Sequence, residues 1–277
     1  EIIHSYAHEL LKTGTEAADM FSRHAAYFTE LTENAEPFLT SGRRHEWMPR
    51  LEAEMDNLRA VMERSLYREV DPLFGIRMAG TLGWFWHLRG HLSEGRKWAT
   101  SLMHMREAGK RDLYRVKVLF PAGGLAWSQG DYDTANRILG ESAALFRDLY
   151  ENSDVMDAQI IKSHCILAGG LASVGKYDKA LELCENTLFL LREAKNTWGI
   201  AFTLTWYGAI IIIRDHDLEK AREMFRESLL LSESEKDPWL IAEAMNHLGI
   251  VEGMLGNYSE AADHFKNSLD FHQQTGD

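Results

Sequence analysis

The stretch VGKYDKA, residues 174–180, is the key to the fold, because close copies of it recur along the chain. The copies end at residues 95, 135, 180, 221 and 261, so that successive copies lie 40 to 45 residues apart. The other four copies are RGHLSEG (89–95), QGDYDTA (129–135), DHDLEKA (215–221) and LGNYSEA (255–261). A nearly fixed period of this length is typical of a stacked array of repeats.

The same stretch also has the spacing of a phosphate-binding loop, with Gly170, Gly175 and Lys176 at the G-x-x-x-x-G-K positions. Such a loop needs Ser or Thr after the lysine, because that hydroxyl ligates the magnesium ion. Tyr177 stands there instead. Because the stretch also belongs to a repeat, the pattern favours a turn between two helices over a nucleotide site.

Each copy has the same anatomy. An apolar helix with a small residue comes first, then a glycine, then Tyr or Leu two residues later, and then a second amphipathic helix. The glycine is predicted to cap the first helix in the left-handed conformation, and His216, which replaces it once, is expected to strain its turn. Asp133 and Asp178 are expected to accept hydrogen bonds from free amides at the start of the second helix. The small residues, which let paired helices approach, are Gly83, Gly123, Ala168, Ala209 and Gly249.

Composition limits the function classes. The 277 residues are 45% hydrophobic and include only 5 prolines, which favours helix. The net charge of −12 and the lack of a clustered basic excess argue against direct binding of nucleic acid.

The two cysteines, Cys165 and Cys184, are read as buried free thiols, which fits a cytoplasmic location. The longest apolar run, residues 207–213, is too short to span a bilayer, and no signal peptide is recognised. The chain starts without Met in a helical pattern, so we expect a piece of a longer protein.

The order of small residue, glycine turn, Tyr and then Ala with Phe or Leu resembles the tetratricopeptide repeat, most clearly over residues 248–269. The period is longer than the usual 34 residues of that family. The resemblance implies an all-α fold in which about five helical hairpins, residues 69–277, stack into a right-handed superhelix. Residues 1–68 lack the repeat and are expected to form a helical lead-in.

Three further sequence segments resemble a more specific family. RHAAYF (23–28), RLEAEMDNLRAVM (50–62) and WFWHLRGHLSEGRKW (84–98) resemble the region that follows the nucleotide-binding module in bacterial signalling ATPases. That class includes LuxR-type and AfsR-like transcriptional regulators. The resemblance implies a sensor region whose nucleotide-binding and DNA-binding domains lie elsewhere in the parent protein. A free-standing scaffold for peptide or protein partners remains the alternative.

The first helix of each hairpin is expected to line the concave face of the superhelix. A protein, a peptide or a small-molecule inducer would bind there, since aromatic rings offer large contact areas and lysines can hold an anion. Packing between neighbouring helices is the other explanation for the same rings. The candidate contacts are Trp84, His87, Lys117, Phe120, Trp127, Lys162, Trp206 and Asn246.

No cofactor, metal or catalytic site is expected. His4 and His8 share a helical face with Glu9 nearby, but no third metal ligand is identifiable. No catalytic arrangement of Ser, His and Asp or of Cys and His is apparent from the spacing. Because helical solenoids generally supply extended binding surfaces, we expect a binding protein rather than an enzyme, with no membrane partner.

Overall fold

The structure of the chain is a computed structural model that describes residues 16–39, 43–109, 113–150 and 158–275. Within these ranges the chain is helical and has no β-strand, which confirms the all-α prediction. The fourteen α-helices are α1 (Ala17–Ala35), α2 (Arg44–Ala53), α3 (Met55–Leu66), α4 (Pro72–Thr81), α5 (Gly83–Leu88), α6 (Leu92–Met103), α7 (Leu113–Ser128), α8 (Tyr132–Tyr150), α9 (Ala158–Ser173), α10 (Tyr177–Glu193), α11 (Thr197–Asp215), α12 (Leu218–Glu235), α13 (Pro238–Met254) and α14 (Tyr258–Thr275). Short 3-10 turns occupy Glu36–Phe38 and Glu107–Gly109.

From α5 onward, consecutive helices pair into five hairpins: α5/α6, α7/α8, α9/α10, α11/α12 and α13/α14. Each hairpin also packs against the next one along the chain. A hairpin has apolar surface on more than one side, so stacking is what removes that surface from water. The result is the solenoid of helical hairpins that the repeat period predicts.

The repeat glycines adopt the left-handed conformation that their positions predict. Gly90, Gly130, Gly175 and Gly256 have φ between +73° and +88°. In the turn after α9, the amide of Lys176 donates to the carbonyl oxygen of Leu171 at 2.9 Å, the bond that closes a Schellman cap. Glycine tolerates this conformation because it has no Cβ. The stretch with phosphate-loop spacing is therefore a turn between two helices.

The small residues act as predicted in some hairpins and differently in others. A Cβ added at Gly123 would lie 2.6 Å from Leu139 on the second helix of the same hairpin, and Gly249 has an equivalent role. At Gly83 the prediction of a contact within the hairpin is wrong. A Cβ there would lie 2.8 Å from Pro121, so the absence of a side chain at Gly83 lets the next hairpin pack closely.

The prediction for Ala209 is also wrong, because the turn after α11 has a different cap. His216 is left-handed, with φ +53°, and its amide makes a single bond to the carbonyl oxygen of Ile212 at 3.2 Å. This cap shifts α11 by one residue relative to the other first helices. Gly208 takes the close contact instead, since a Cβ there would lie 2.5 Å from Phe225.

The helix N-caps lie two residues earlier than predicted, at Asp131 and Lys176 rather than Asp133 and Asp178. Asp217 Oδ1 accepts a hydrogen bond from the amide of Lys220 at 3.0 Å, and Asp131 caps α8 in the same way. Asp133 and Asp178 lie inside the first turns of their helices. There a carboxylate is favourable because it faces the positive end of the helix dipole.

The lead-in packs directly on the start of the solenoid. Arg77 on α4 forms an ion pair with Glu33 on α1, with 2.6 Å between Nη2 and Oε2. The hydroxyl of Thr29 donates to the carbonyl oxygen of Phe74 at 3.4 Å. One buried apolar cluster runs from Ala17 to Leu167, so the lead-in and the first hairpins share a core.

The lead-in is helical as predicted, but its second half is not one continuous helix. The chain breaks at Glu54 into α2 and α3. Pro49 lies inside α2 without ending it.

Helix α11 is the most apolar helix of the stack. Its length and composition would allow it to cross a membrane, and it is the one helix in the described ranges that meets this criterion. More than half of its apolar stretch is buried inside the protein, and the helix packs between α10 and α12. A buried core helix has the same composition, and that is its place here.

Candidate functional site

The first helices of the five hairpins enclose a cavity of about 420 Å³. It is formed by α5, α7, α9, α11 and α13, and it therefore lies on the face that the repeat pattern predicts to be the inner one. Most of the wall is apolar or aromatic. The large aromatic side chains that line it are Trp84, Phe120, Trp127, Phe202, Trp206 and Trp239.

The first and last hairpins meet across this cavity. The rings of Trp84 on α5 and Trp239 on α13 lie edge to face, with their centroids 5.1 Å apart. His87 stacks on Trp84 at 5.3 Å, and its Nδ1 lies 3.1 Å from the hydroxyl oxygen of Ser128 on α7. The inner face is thus closed on this side by direct contact between repeats that are distant in sequence.

An aromatic wall continues around the cavity from that contact. The ring of Phe202 lies 6.0 Å from Trp239 and 6.4 Å from Trp206, and Trp206 lies 5.5 Å from Trp127. The ring of Trp206 lies directly on the backbone of α9, because a Cβ added at Gly169 would be only 2.3 Å from it. The rings therefore fix one another's positions.

The lead-in also contacts the aromatic wall, through Trp239. The guanidinium of Arg44 on α2 lies 5.9 Å from the ring centroid of Trp239. Asp237, the N-cap of α13, accepts a hydrogen bond from Trp198 Nε1 at 2.9 Å. Burial raises the pKa of the Asp237 carboxyl, and its hydrogen bonds and the charge of Arg44 oppose that rise. This group of side chains, the rear clasp, joins α2 to the last hairpin.

The polar part of the wall centres on α13. Glu243 and His247 line the cavity one turn apart, and Nδ1 of His247 lies 2.8 Å from the carbonyl oxygen of Glu243. The carboxylate of Glu243 lies 3.8 Å from Nε2 of His272. The hydroxyl of Thr205 donates to the carbonyl oxygen of Ala201, so it is already satisfied within the protein.

The structure brings together most of the candidate residues. Lys117 does not line the cavity, because its Nζ lies 3.1 Å from Glu36 Oε2 of the lead-in. Asn246 lies on α13 outside the lining. The side chain of Lys162 falls outside the part of the chain that the structure describes. The candidates that do line the cavity are Trp84, His87, Phe120, Trp127 and Trp206.

Several lining residues were missed from the sequence, among them Phe202, Trp239, Glu243 and His247. Phe202 and Trp206 are four residues apart, as are Trp239, Glu243 and His247 in succession, so each set lies along one helical stripe. That four-residue spacing could have identified these residues. The candidates were instead chosen by aligning the first helices on their small residues, and the different cap after α11 makes this alignment wrong by one residue.

Neither cysteine is poised for chemistry. Both are buried free thiols, as the sequence predicts. Burial raises the pKa of Cys165 to about 12, and its thiol donates to the hydroxyl oxygen of Thr203 at 3.5 Å. Over the described ranges, no group of three or more His, Cys, Asp or Glu side chains could hold a metal ion. The pair His4 and His8 falls outside those ranges.

Residues 199–274 match the family model of the tetratricopeptide repeat. A search of curated protein sequences finds no match to the chain. The other similarity is structural. The chain resembles NprR, solved in complex with its cognate peptide NprX, at 18% identity and a TM-score of 0.68, over 99% of this chain and 73% of NprR.

Two further solved structures are similar. Rap protein complexed with Competence and Sporulation Factor has 12% identity and a TM-score of 0.66, over 95% of this chain and 79% of that one. BtubC from P. vanneervenii has 14% identity and a TM-score of 0.58, over 82% of this chain and 92% of that one. Together with the repeat match, these similarities show a tetratricopeptide-like helical-hairpin solenoid.

Proposed function

We propose that this chain is the sensing region of a bacterial signalling protein and that its cavity holds part of a peptide. The observation that carries the proposal is the aromatic wall that joins the first and fifth hairpins through Trp84 and Trp239. A ligand in this cavity contacts several hairpins at once. Its binding free energy therefore differs between a closed and an open stack. A ligand shifts a conformational equilibrium only when it binds the two conformations with different affinities.

The dimensions and the similar structures support a peptide as the occupant. A cavity of about 420 Å³ lies within the range of sites that enclose small ligands. It is suited to the anchor side chains of a peptide whose remainder crosses the inner face. NprR was solved with a peptide in complex, and Rap with Competence and Sporulation Factor. A small-molecule inducer is the other occupant that this volume permits.

The rear clasp gives the sensing region a way to transmit binding. Arg44 belongs to the lead-in and lies over the ring of Trp239, which lines the cavity. A ligand that displaces Trp239 therefore also displaces α2. The lead-in, residues 1–68, would carry this movement from the solenoid, residues 69–277, toward domains outside this chain.

The proposal that the parent protein is a transcriptional regulator rests on the three sequence segments at 23–28, 50–62 and 84–98 and on their order. In this proposal the nucleotide-binding and DNA-binding domains belong to the parent protein, which acts in the cytoplasm. The ligand must then bind one state of the switch more tightly than the other. The alternative, a free-standing scaffold for peptide or protein partners, rests on the repeats alone. The coding sequence on either side decides between them, because only a regulator has a phosphate loop or a helix-turn-helix there.

Peptide binding can be tested by selecting from a displayed library of random short peptides. We expect selected peptides to change the tryptophan fluorescence of the chain, because several indoles line the cavity. Trp206→Ala should weaken their binding at least about tenfold, as for the central aromatic residue of an interface. Trp98→Ala is the matched control, since Trp98 lies on α6 away from the cavity. The proposal fails if no peptide is selected, or if binding is indifferent to Trp206.

A further inference from the structure

We propose that the cavity selects a ligand with a positively charged group, and that the guanidinium or ammonium of a peptide side chain is that group. The inference rests on the proposed function and specifies its ligand. The cation would lie against the indole rings of Trp206 and Trp239, close to the carboxylate of Glu243. Three features of the described wall lead to this conclusion: its charge, its rings and their spacing on α13.

In the described part of the wall, one carboxylate is present without a lysine or arginine to balance it. Glu243 is the acidic side chain among the described lining residues, and no lysine or arginine is found among them. The side chain of Glu243 is 29% exposed, so its carboxylate is partly removed from water. Its one ion-pair partner in the described ranges is His272 at 3.8 Å, which is charged only when protonated. The candidate cation Lys117 is directed away, toward Glu36.

The rings of the wall provide the second feature. Among aromatic side chains, tryptophan attracts a cation over its face most strongly, because of the quadrupole of its π-system. The chain itself uses Trp239 in this way, since the guanidinium of Arg44 lies 5.9 Å from its ring centroid. The carboxylate of Asp237 offsets the charge of Arg44. Arg44 is also not among the residues that line the cavity, so it does not supply a lining cation next to Glu243.

The spacing on α13 brings ring and carboxylate together. Trp239 and Glu243 are four residues apart on one helix, so their side chains lie on the same face, one turn from each other. A cation placed between them interacts with both. A neutral ligand of the same shape would displace water from Glu243 and leave the carboxylate without a compensating charge, which is costly. Charge complementarity thus favours a cationic group over a neutral one.

Two pairs of probes of nearly equal shape test this inference on the full chain. The first pair is Nα-acetyl-arginine methylamide and Nα-acetyl-citrulline methylamide, which differ by a guanidinium and a neutral urea. The second pair is choline and its uncharged analogue 3,3-dimethyl-1-butanol. Binding is measured by calorimetry and by tryptophan fluorescence. We expect the arginine probe to bind about tenfold more tightly than the citrulline probe, chiefly because its charge pairs with the partly desolvated carboxylate of Glu243 and in smaller part because the indole faces attract a cation.

Glu243→Gln removes the charge with little change in shape and should reduce this preference to within about twofold. Glu223→Gln on α12 is the matched control, because Glu223 is exposed and lies away from the cavity. It should leave the preference unchanged. If Glu243→Gln lowers the melting temperature severely, Trp206→Leu serves instead. It keeps an apolar side chain but removes the π face, and should reduce binding of the arginine probe more than binding of the citrulline probe.

The outcomes separate this inference from the proposed function. Equal binding of arginine and citrulline probes overturns the cationic ligand, while a selected peptide that still depends on Trp206 keeps the cavity as the peptide site. Binding of choline, with no preference for the arginine probe, overturns the peptide cation in favour of a quaternary ammonium compound. An arginine preference that survives Glu243→Gln in the folded protein also overturns the inference.

Discussion

The ring of Trp84 in the first hairpin lies edge to face with the ring of Trp239 in the fifth, 5.1 Å between centroids. Edge-to-face pairs of this kind are favourable, because the positive edge of one ring meets the negative face of the other. The contact joins two elements that are far apart in sequence. It converts an open stack of hairpins into a closed wall around the cavity.

Trp84→Ala should open that wall. Trp84 is 6% exposed, so its truncation leaves a cavity and should lower the free energy of unfolding by about 3 kcal/mol. The measurements are urea unfolding and, for the opening itself, the radius of gyration from small-angle X-ray scattering. Trp98→Ala is the control for the loss of an indole elsewhere. An unchanged radius of gyration in the folded variant would show that the contact does not hold the stack closed.

Gly169→Ala should displace Trp206. A Cβ at this position would lie 2.3 Å from the indole ring, too close for any real contact, so the ring or the helix must move. We expect lower stability, of the order of 1–3 kcal/mol, and weaker binding of selected peptides. Gly140→Ala is the control, because a Cβ there meets no atom within 4 Å. It should stabilise α8 by about 0.5–1 kcal/mol, since alanine favours the helix. Similar effects of the two substitutions in thermal unfolding would refute the packing role of Gly169.

His216→Gly should stabilise the turn after α11. His216 is left-handed with φ +53°, a conformation that costs a residue with a Cβ about 1–2 kcal/mol. The greater freedom of glycine in the unfolded chain offsets part of this gain, so we expect a net increase of up to about 1 kcal/mol. The converse change, Gly175→Ala, should destabilise the protein, because Gly175 has φ +76°. Thermal unfolding of both variants measures these effects, and a loss of stability in His216→Gly would contradict the prediction.

Asp237 should make stability depend on pH in a defined direction. Burial raises the pKa of its carboxyl in the folded protein above the reference value of 3.8. The folded state therefore binds the proton more tightly than the unfolded state does, and this contribution is fully present below pH 3.8. It is lost as the pH rises through the raised pKa.

The comparison with Asp237→Asn isolates this contribution, because asparagine can still cap a helix but does not titrate. The free energy of unfolding of the natural protein, relative to that of the variant, should fall as the pH rises from below 3.8 into the range just above it. Chemical unfolding of both proteins across this range provides the measurement. A difference between the two that rises with pH would mean that the charge of Arg44 outweighs the effect of burial.

The repeat could be read from local patterns, and the cavity only in part. Glycine two residues before Tyr132, Tyr177 and Tyr258 is a short-range signal, because a left-handed cap depends on a few neighbouring residues. The pairing of helices follows from that signal. Ala209 and Asn246 show the limit of this local signal. The different cap at His216 shifts α11 by a single residue, and the sequence of the turns does not reveal that shift.

The sequence by itself determined an all-helical chain of stacked hairpins and the left-handed turns that join them. These properties depend on contacts between residues that are near one another in the chain. Only the tertiary structure decided that Trp84 meets Trp239, that Lys117 is paired with Glu36 and that Glu243 faces the cavity. These depend on the curvature accumulated over five hairpins, and a small rotation at each one decides which distant side chains meet.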